Sequence, residues 1–224
     1  MVTIGITMGC PVGIGPEIIV RYFAENTQTS GIQPVVIGDR GILVRTADQL
    51  GLPSHFVNWQ PENPSPAKGI PVIQVADLAA SDLAWGCPTL ATGHAMASYI
   101  DCAVTLAQKG IIQGITTCPI SKFSLQNAGY SFPGHTEMLA SLTQTSNYAM
   151  MMAGKRLRVT LVTIHRPLRD VAAVLSIDAI HRLICITHSA LVTDFAISQP
   201  RIAVAGLNPH AGEGGIFGDE EARL

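Results

Sequence analysis

Short apolar runs alternate along this chain with longer segments of helical periodicity, and that alternation limits the fold more than any other feature. Val2 to Thr7, Pro34 to Ile37, Ile111 to Thr116 and Arg201 to Leu207 each read as a buried strand. Between them lie helical stretches. Pro16 opens one, since proline suits the first helical position, and Arg40 to Leu50 forms the next. Thr92 to Lys109 sets Met96, Ile100, Ala103 and Ala107 on one face, with Gly110 as its stop. Asp178 to Leu191 sets Ile180, Leu183, Ile184, Thr187 and Leu191 on another. Shorter helices are predicted at Lys122 to Asn127 and Thr136 to Leu142, with a further helical start at Glu220. Tyr148 to Met152 and Leu157 to Ile164 read as a strand pair joined at Ala153 to Arg156. Leu52 to Ser81, broken by five prolines, holds at most short strands. Strands separated by helices specify the α/β class with a mostly parallel sheet.

Charge is scarce. Only 13% of the 224 residues are charged, 14 basic against 16 acidic, with a hydrophobic fraction of 47%; ordinary soluble domains carry roughly 25% charge. A full apolar complement excludes intrinsic disorder. The balanced charge offers no electrostatic drive toward nucleic acid or anionic membrane, and no apolar run reaches the roughly 18 residues of a membrane span. Low charge points to a buried subunit interface or to an absent piece of polypeptide. Met1 to Thr7 lacks the features of a signal peptide. The five cysteines, Cys10, Cys87, Cys102, Cys118 and Cys185, are odd in number and form no C-x-x-C pair, so reduced thiols and a cytoplasmic location are expected.

In open α/β sheets ligands bind beyond the carboxyl ends of the strands, and five segments there carry chemistry. Met8 to Glu17 is a glycine-proline loop matching neither the dinucleotide fingerprint nor a P-loop; it is either a tight turn or a place where a ligand meets the backbone. Thr116 to Lys122 ends a strand and supplies a lysine. Pro133 to Glu137 places His135 and Thr136 at a helix start, where free N–H groups favour an anion, although either side chain would also serve as a cap. Two further loops put His165 and His210 directly after strands, at the mouth of a sheet; neutral imidazole is a common metal ligand, but the spacing does not show that the two converge.

Taken in order, Gly9-x-Pro11-x-Gly13-Ile14-Gly15-Pro16-Glu17, Pro119-Ile120-x-Lys122, Pro133-Gly134-His135-Thr136-Glu137, His165-x-Pro167-Leu168-Arg169 and Leu207-Asn208-Pro209-His210-Ala211-Gly212-Glu213 closely resemble the 4-hydroxythreonine-4-phosphate dehydrogenase family of vitamin B6 biosynthesis. The resemblance implies a two-domain α/β/α fold like that of isocitrate and isopropylmalate dehydrogenases, here C-terminally incomplete. The expected domains are residues 1–118 and 119–224, with an approximate boundary. It also implies a cytoplasmic homodimer that uses NAD or NADP. A divalent metal (Zn, Mg, Co or Mn) would be bound by histidines that include His165 and His210. His135 and Thr136 would contact a small phosphorylated hydroxy-amino acid. The implied reaction is oxidation of the secondary alcohol of 4-phosphooxy-L-threonine, followed by decarboxylation. No catalytic or cofactor-binding residue is assigned.

Two departures from the family pattern stand out. Cys10 occupies a position that is usually acidic. The family's third metal histidine, its phosphate-gripping residues and much of its nicotinamide site have no counterpart before Leu224, so this chain alone is expected to be inactive. Two other readings stay open: a related dehydrogenase acting on a sugar-acid phosphate or aromatic dihydrodiol, and a non-catalytic fragment of the same fold.

Overall fold

A computed structural model describes residues 2–25, 31–53, 55–63, 66 and 68–224. It divides into two compact units, Met1–Gln144 and Thr145–Leu224. Four positions of the proline-broken segment (54, 64, 65 and 67) and Met1 lie outside the described residues.

The first unit is built on five parallel strands: β1 (Val2–Thr7), β2 (Ile32–Gly38), β3 (Phe56–Asn58), β4 (Ile70–Gln74) and β5 (Gly114–Thr117), in the order β3-β4-β2-β1-β5. Its register pairs Thr7 with Ile37 on one side and with Thr117 on the other. These strands are apolar almost throughout, as expected of a parallel sheet covered on its faces. Helix α1 (Gly15–Glu25) packs on α2 (Arg40–Leu50), and α3 (Leu90–Gln108) packs on β1, β2 and β5. The core gathers Met8, Ile19, Val36, Ile37, Leu43 and Tyr99, all buried.

The helix ends follow from local chemistry. Asp39 Oδ1 accepts from Ile42 N at 3.2 Å to start α2, and Gly51 at φ 62° ends it. Thr89 and Thr92 bond reciprocally at the start of α3 as a capping box. Two short helices follow β5, α4 (Lys122–Asn127) and α5 (His135–Leu142). Leu125 of α4 and Met138 of α5 pack on Ala97 and Ile100 of α3. This packing places α4 and α5 in the first compact unit, which ends at Gln144.

In the second unit β6 (Met151–Ala153) and β7 (Arg158–Thr160) form an antiparallel pair. The turn is closed by Gly154 N donating to Leu157 O at 2.9 Å. After a 3-10 turn (Leu168–Asp170) come α6 (Val171–Val174) and the long helix α7 (Ile177–Thr193), whose N-cap Ser176 accepts from Ala179 N. Thr187 of α7 donates its hydroxyl to Thr160 of β7 at 3.1 Å. The apolar face read from the sequence, Ile180 to Leu191, lines a groove of about 420 Å³ with β7 and residues 201–205. A short helix, α8 (Glu220–Arg223), ends the chain.

One strand prediction fails. Arg201 to Leu207 is exposed backbone without regular structure. Its apolar side chains suit a strand, but among the described residues it has no ladder partner, and an unpaired strand gains no hydrogen bonds. No single helix among the described residues is long and apolar enough to cross a membrane.

Candidate active site

In the first unit the strand order reverses between β1 and β5, because successive connections run to opposite sides of β1. That is where open α/β sheets bind ligands, and the loops following these two strands meet there. Cys118 N donates to Thr7 O at 3.1 Å, and Cys10 N donates to Pro119 O at 3.0 Å. Two segments more than a hundred residues apart are thereby joined.

The glycines of the first loop are needed by the protein itself. Gly9 sits at φ 71°, and a Cβ there would lie 2.4 Å from Pro119 O; a Cβ on Gly15 would lie 2.1 Å from Met8 O. The backbone that approaches them closely is the chain's own, so the tight-turn reading of this loop holds. Cys10 is 5% exposed and packs with Val12 and Met96. Burial pushes its thiol pKa up, opposed in part by hydrogen bonds from the Val12 and Gly13 backbone. Cys118 is pushed up to about 11 by burial alone. Neither thiol carries charge at neutral pH.

The loop after β5 delivers Ser121, which caps α4 by accepting from Ser124 N, and then Lys122. Lys122 is exposed, and its Nζ reaches within 4.0 Å of the point where a Cβ on Gly134 would sit. Glu137 Oε2 lies 3.6 Å from that same point. A cation and a carboxylate thus flank the first turn of α5.

His135 and Thr136 are half-buried in that turn. Gly134 is the N-cap and no side chain caps the helix, so neither residue is engaged as the cap that the sequence also allowed. Burial lowers the His135 pKa from its ordinary 6.5, leaving the ring neutral at physiological pH. Its Nε2 and the Glu137 Oε2 are buried atoms without a hydrogen-bond partner. Buried polar atoms are nearly always paired, so two orphans in one helical turn make this turn the candidate polar site of the first unit. Sequence reasoning assigns no role to Glu137, although an acid two residues after a histidine at a helix start is visible in the sequence.

The second unit carries the other two candidates. Neither follows a strand directly, contrary to expectation: β7 ends at Thr160, five residues before His165, and residues 201–207 form no strand. Both side chains are exposed. His165 takes a left-handed backbone, φ 55°. His210 sits on a turn closed by Asn208, whose Oδ1 accepts from His210 N at 2.9 Å and whose Nδ2 donates to Phe217 O at 3.2 Å. Its Nδ1 faces Glu213 Oε1 at 3.6 Å, leaving Nε2 open. Accessible imidazoles suit the donor chemistry of a borderline divalent cation. Among the described residues no cluster of three or more His, Cys, Asp or Glu side chains stands ready to hold one.

With this geometry in place, comparison with known proteins is decisive at the family level. The family model "Pyridoxal phosphate biosynthetic protein PdxA" matches residues 30–224. A 4-hydroxythreonine-4-phosphate dehydrogenase of Desulfosudis oleivorans is 50% identical over 222 residues, 99% of this chain and 66% of its own length. The crystal structure of a 4-hydroxythreonine-4-phosphate dehydrogenase from Klebsiella pneumoniae superposes with a TM-score of 0.89 at 37% identity, covering all of this chain and 69% of that one. A terephthalate 1,2-cis-dihydrodiol dehydrogenase from Burkholderia xenovorans shares the fold at a TM-score of 0.62 and 28% identity. The chain spans about 66% of the length of these curated relatives. The α/β fold, the motif order and these matches agree, and the chain belongs to the PdxA family.

Proposed function

We propose that this chain carries the substrate-recognition and part of the metal-binding machinery of an NAD- or NADP-dependent dehydrogenase. Its substrate is the phosphorylated hydroxy-amino acid 4-phosphooxy-L-threonine, whose secondary alcohol is oxidised before carbon dioxide is lost, in pyridoxal phosphate synthesis. The carrying observation is the 50% identity to a 4-hydroxythreonine-4-phosphate dehydrogenase across 99% of this chain. The orphaned His135 Nε2 supports it from the side of geometry.

Each residue has a task. Neutral His135 offers Nε2 to the substrate as donor or acceptor according to its tautomer, and Thr136 adds a hydroxyl from the same turn. Lys122 supplies positive charge beside the α5 N-terminus, where an anionic group of the substrate is favoured. His165 and His210 would hold a divalent cation. When bound, the cation polarises the substrate hydroxyl and the nicotinamide accepts the hydride. The working enzyme is proposed to be a cytoplasmic homodimer, which accounts for the low charge as buried interface.

A second reading, a relative acting on another hydroxy acid, is favoured by the likeness to the dihydrodiol dehydrogenase. The test is metal content followed by NAD or NADP reduction with 4-phosphooxy-L-threonine and with a cis-dihydrodiol, using the 224-residue chain. Because the chain spans about 66% of its relatives and three protein ligands typify catalytic sites, neither substrate should be turned over. Turnover of the dihydrodiol alone would overturn the first reading in favour of the second.

A further inference from the structure

Beside the switch-point loop lies a cavity that the proposed substrate site does not use. It measures about 420 Å³ and is bordered by Ile14, Glu17, Gln49, Leu50 and Trp85, a size within the roughly 300–1,000 Å³ of small-molecule pockets. Trp85 is 37% exposed and Ile14 51%. The indole is nevertheless held still. Its Nε1–H donates to Gln49 Oε1 at 2.7 Å. The Arg45 guanidinium lies 4.9 Å from the ring centroid, and is itself fixed by donating to Ala80 O. Gly86 N donates to Val12 O at 2.8 Å, which ties the Trp85 segment to the loop after β1. An indole fixed in this way is a flat surface already ordered before any ligand arrives.

The polar atoms around the cavity are only half engaged. Gln49 gives its oxygen to Trp85 and keeps its amide Nε2 as a donor. Glu17 accepts from Arg21 Nε through Oε1 at 2.8 Å and, among the described residues, keeps Oε2 as an acceptor. A flat platform, an apolar wall, one donor and one acceptor complement a conjugated ring that carries an acceptor nitrogen next to an amino group. Adenine has that edge, N7 beside the N6 amino group, whereas guanine shows two acceptors there, N7 and O6. One of those acceptors would face the Glu17 carboxylate. Open α/β sheets bind dinucleotides where the strand order reverses, and this cavity adjoins the loop at that point. We propose that it is a binding site for the adenine ring of a nucleotide, stacked against Trp85 and recognised by Gln49 and Glu17. That the ring belongs to NAD or NADP rests on the function proposed above; the adenine site does not.

The experiment uses the whole chain carrying Trp59→Phe, which leaves Trp85 as its single tryptophan. AMP should change the Trp85 emission saturably. GMP should bind about 10-fold more weakly or worse, and nicotinamide mononucleotide, which has no adenine, should leave the emission unchanged. Calorimetric titration then gives affinities that need no tryptophan. Trp85→Ala should weaken AMP binding about 5- to 150-fold, the range for removing a stacked aromatic. Gln49→Glu still accepts from the indole but has no amide donor. It should weaken AMP binding about 10-fold while the emission of the free protein stays as it was. No saturable response to AMP at millimolar concentration, GMP bound as well as AMP, or AMP affinity indifferent to both variants overturns the proposal. Displacement of AMP by NAD or NADP assigns the ring to the cofactor; AMP bound and not displaced keeps the adenine site and removes the dinucleotide as its source. Substrate binding at the α5 turn is read separately, so the two sites stand or fall independently.

Discussion

Single residues in this protein are set by burial more than by charge. His135 shows how. Its pKa is lowered by desolvation, so the folded state resists the proton that the unfolded chain accepts near 6.5. Above that pH both states are neutral and the fold loses nothing. As pH falls below it, the unfolded state is protonated first and stability declines, until the folded pKa is passed and the decline levels off. Urea midpoints measured from pH 8 to 5 should therefore fall through this window, and His135→Gln should remove that part of the slope. The thiols obey the same physics. Cys87 and Cys185 are exposed whereas Cys10 and Cys118 are buried with raised pKa values. Alkylation of the native chain, followed by peptide mass mapping, should label the first pair and spare the second until denaturant is added. Gly15 is constrained by space. A Cβ 2.1 Å from Met8 O forces the switch-point loop apart, and Gly15→Ala should cost about 2–4 kcal/mol, read from the shift in urea midpoint.

Elements were legible in the sequence where their ends carry their own chemistry. Helix α2 runs from Arg40 to Leu50 as read, because Asp39 caps one end and Gly51 closes the other. Asp39 does more than cap: its Oδ2 accepts from Leu78 N at 2.7 Å, joining the loop after β4 to the loop after β2. Asp39→Ala removes the cap and strands a backbone N–H, and should destabilise by about 2–4 kcal/mol by thermal or urea unfolding. Arg201 to Leu207 shows the opposite case. Apolar composition states a preference for a strand, but a strand exists only through a partner, and no local residue encodes one. The site divides the same way. His135, Thr136, His165 and His210 were each visible as motif residues at loop or helix ends. That Cys10 would bond to Pro119, or that Lys122 would come beside Gly134, depended on β1 pairing with β5 and on α4 and α5 packing on α3. Those are long-range facts that spacing does not carry.

The whole chain combines a well-packed first unit with a thinly buried second one. Among the described residues of unit two only Thr187, Leu191 and Gly212 are buried, and Leu168 (89% exposed) and Ile216 (76%) stand in solvent. The low charge noted in the sequence is thus not spent on a larger internal core. Family membership assigns the chain to a group of enzymes, while its span of about 66% of its relatives makes recognition, rather than turnover, the property to test. The central claim is that the first turn of α5 meets the substrate. The most direct test follows the His135 imidazole resonances while 4-phosphooxy-L-threonine is added. Saturable shifts at His135, absent with L-threonine, are predicted; resonances that stay fixed while the ligand reaches millimolar concentration contradict the account.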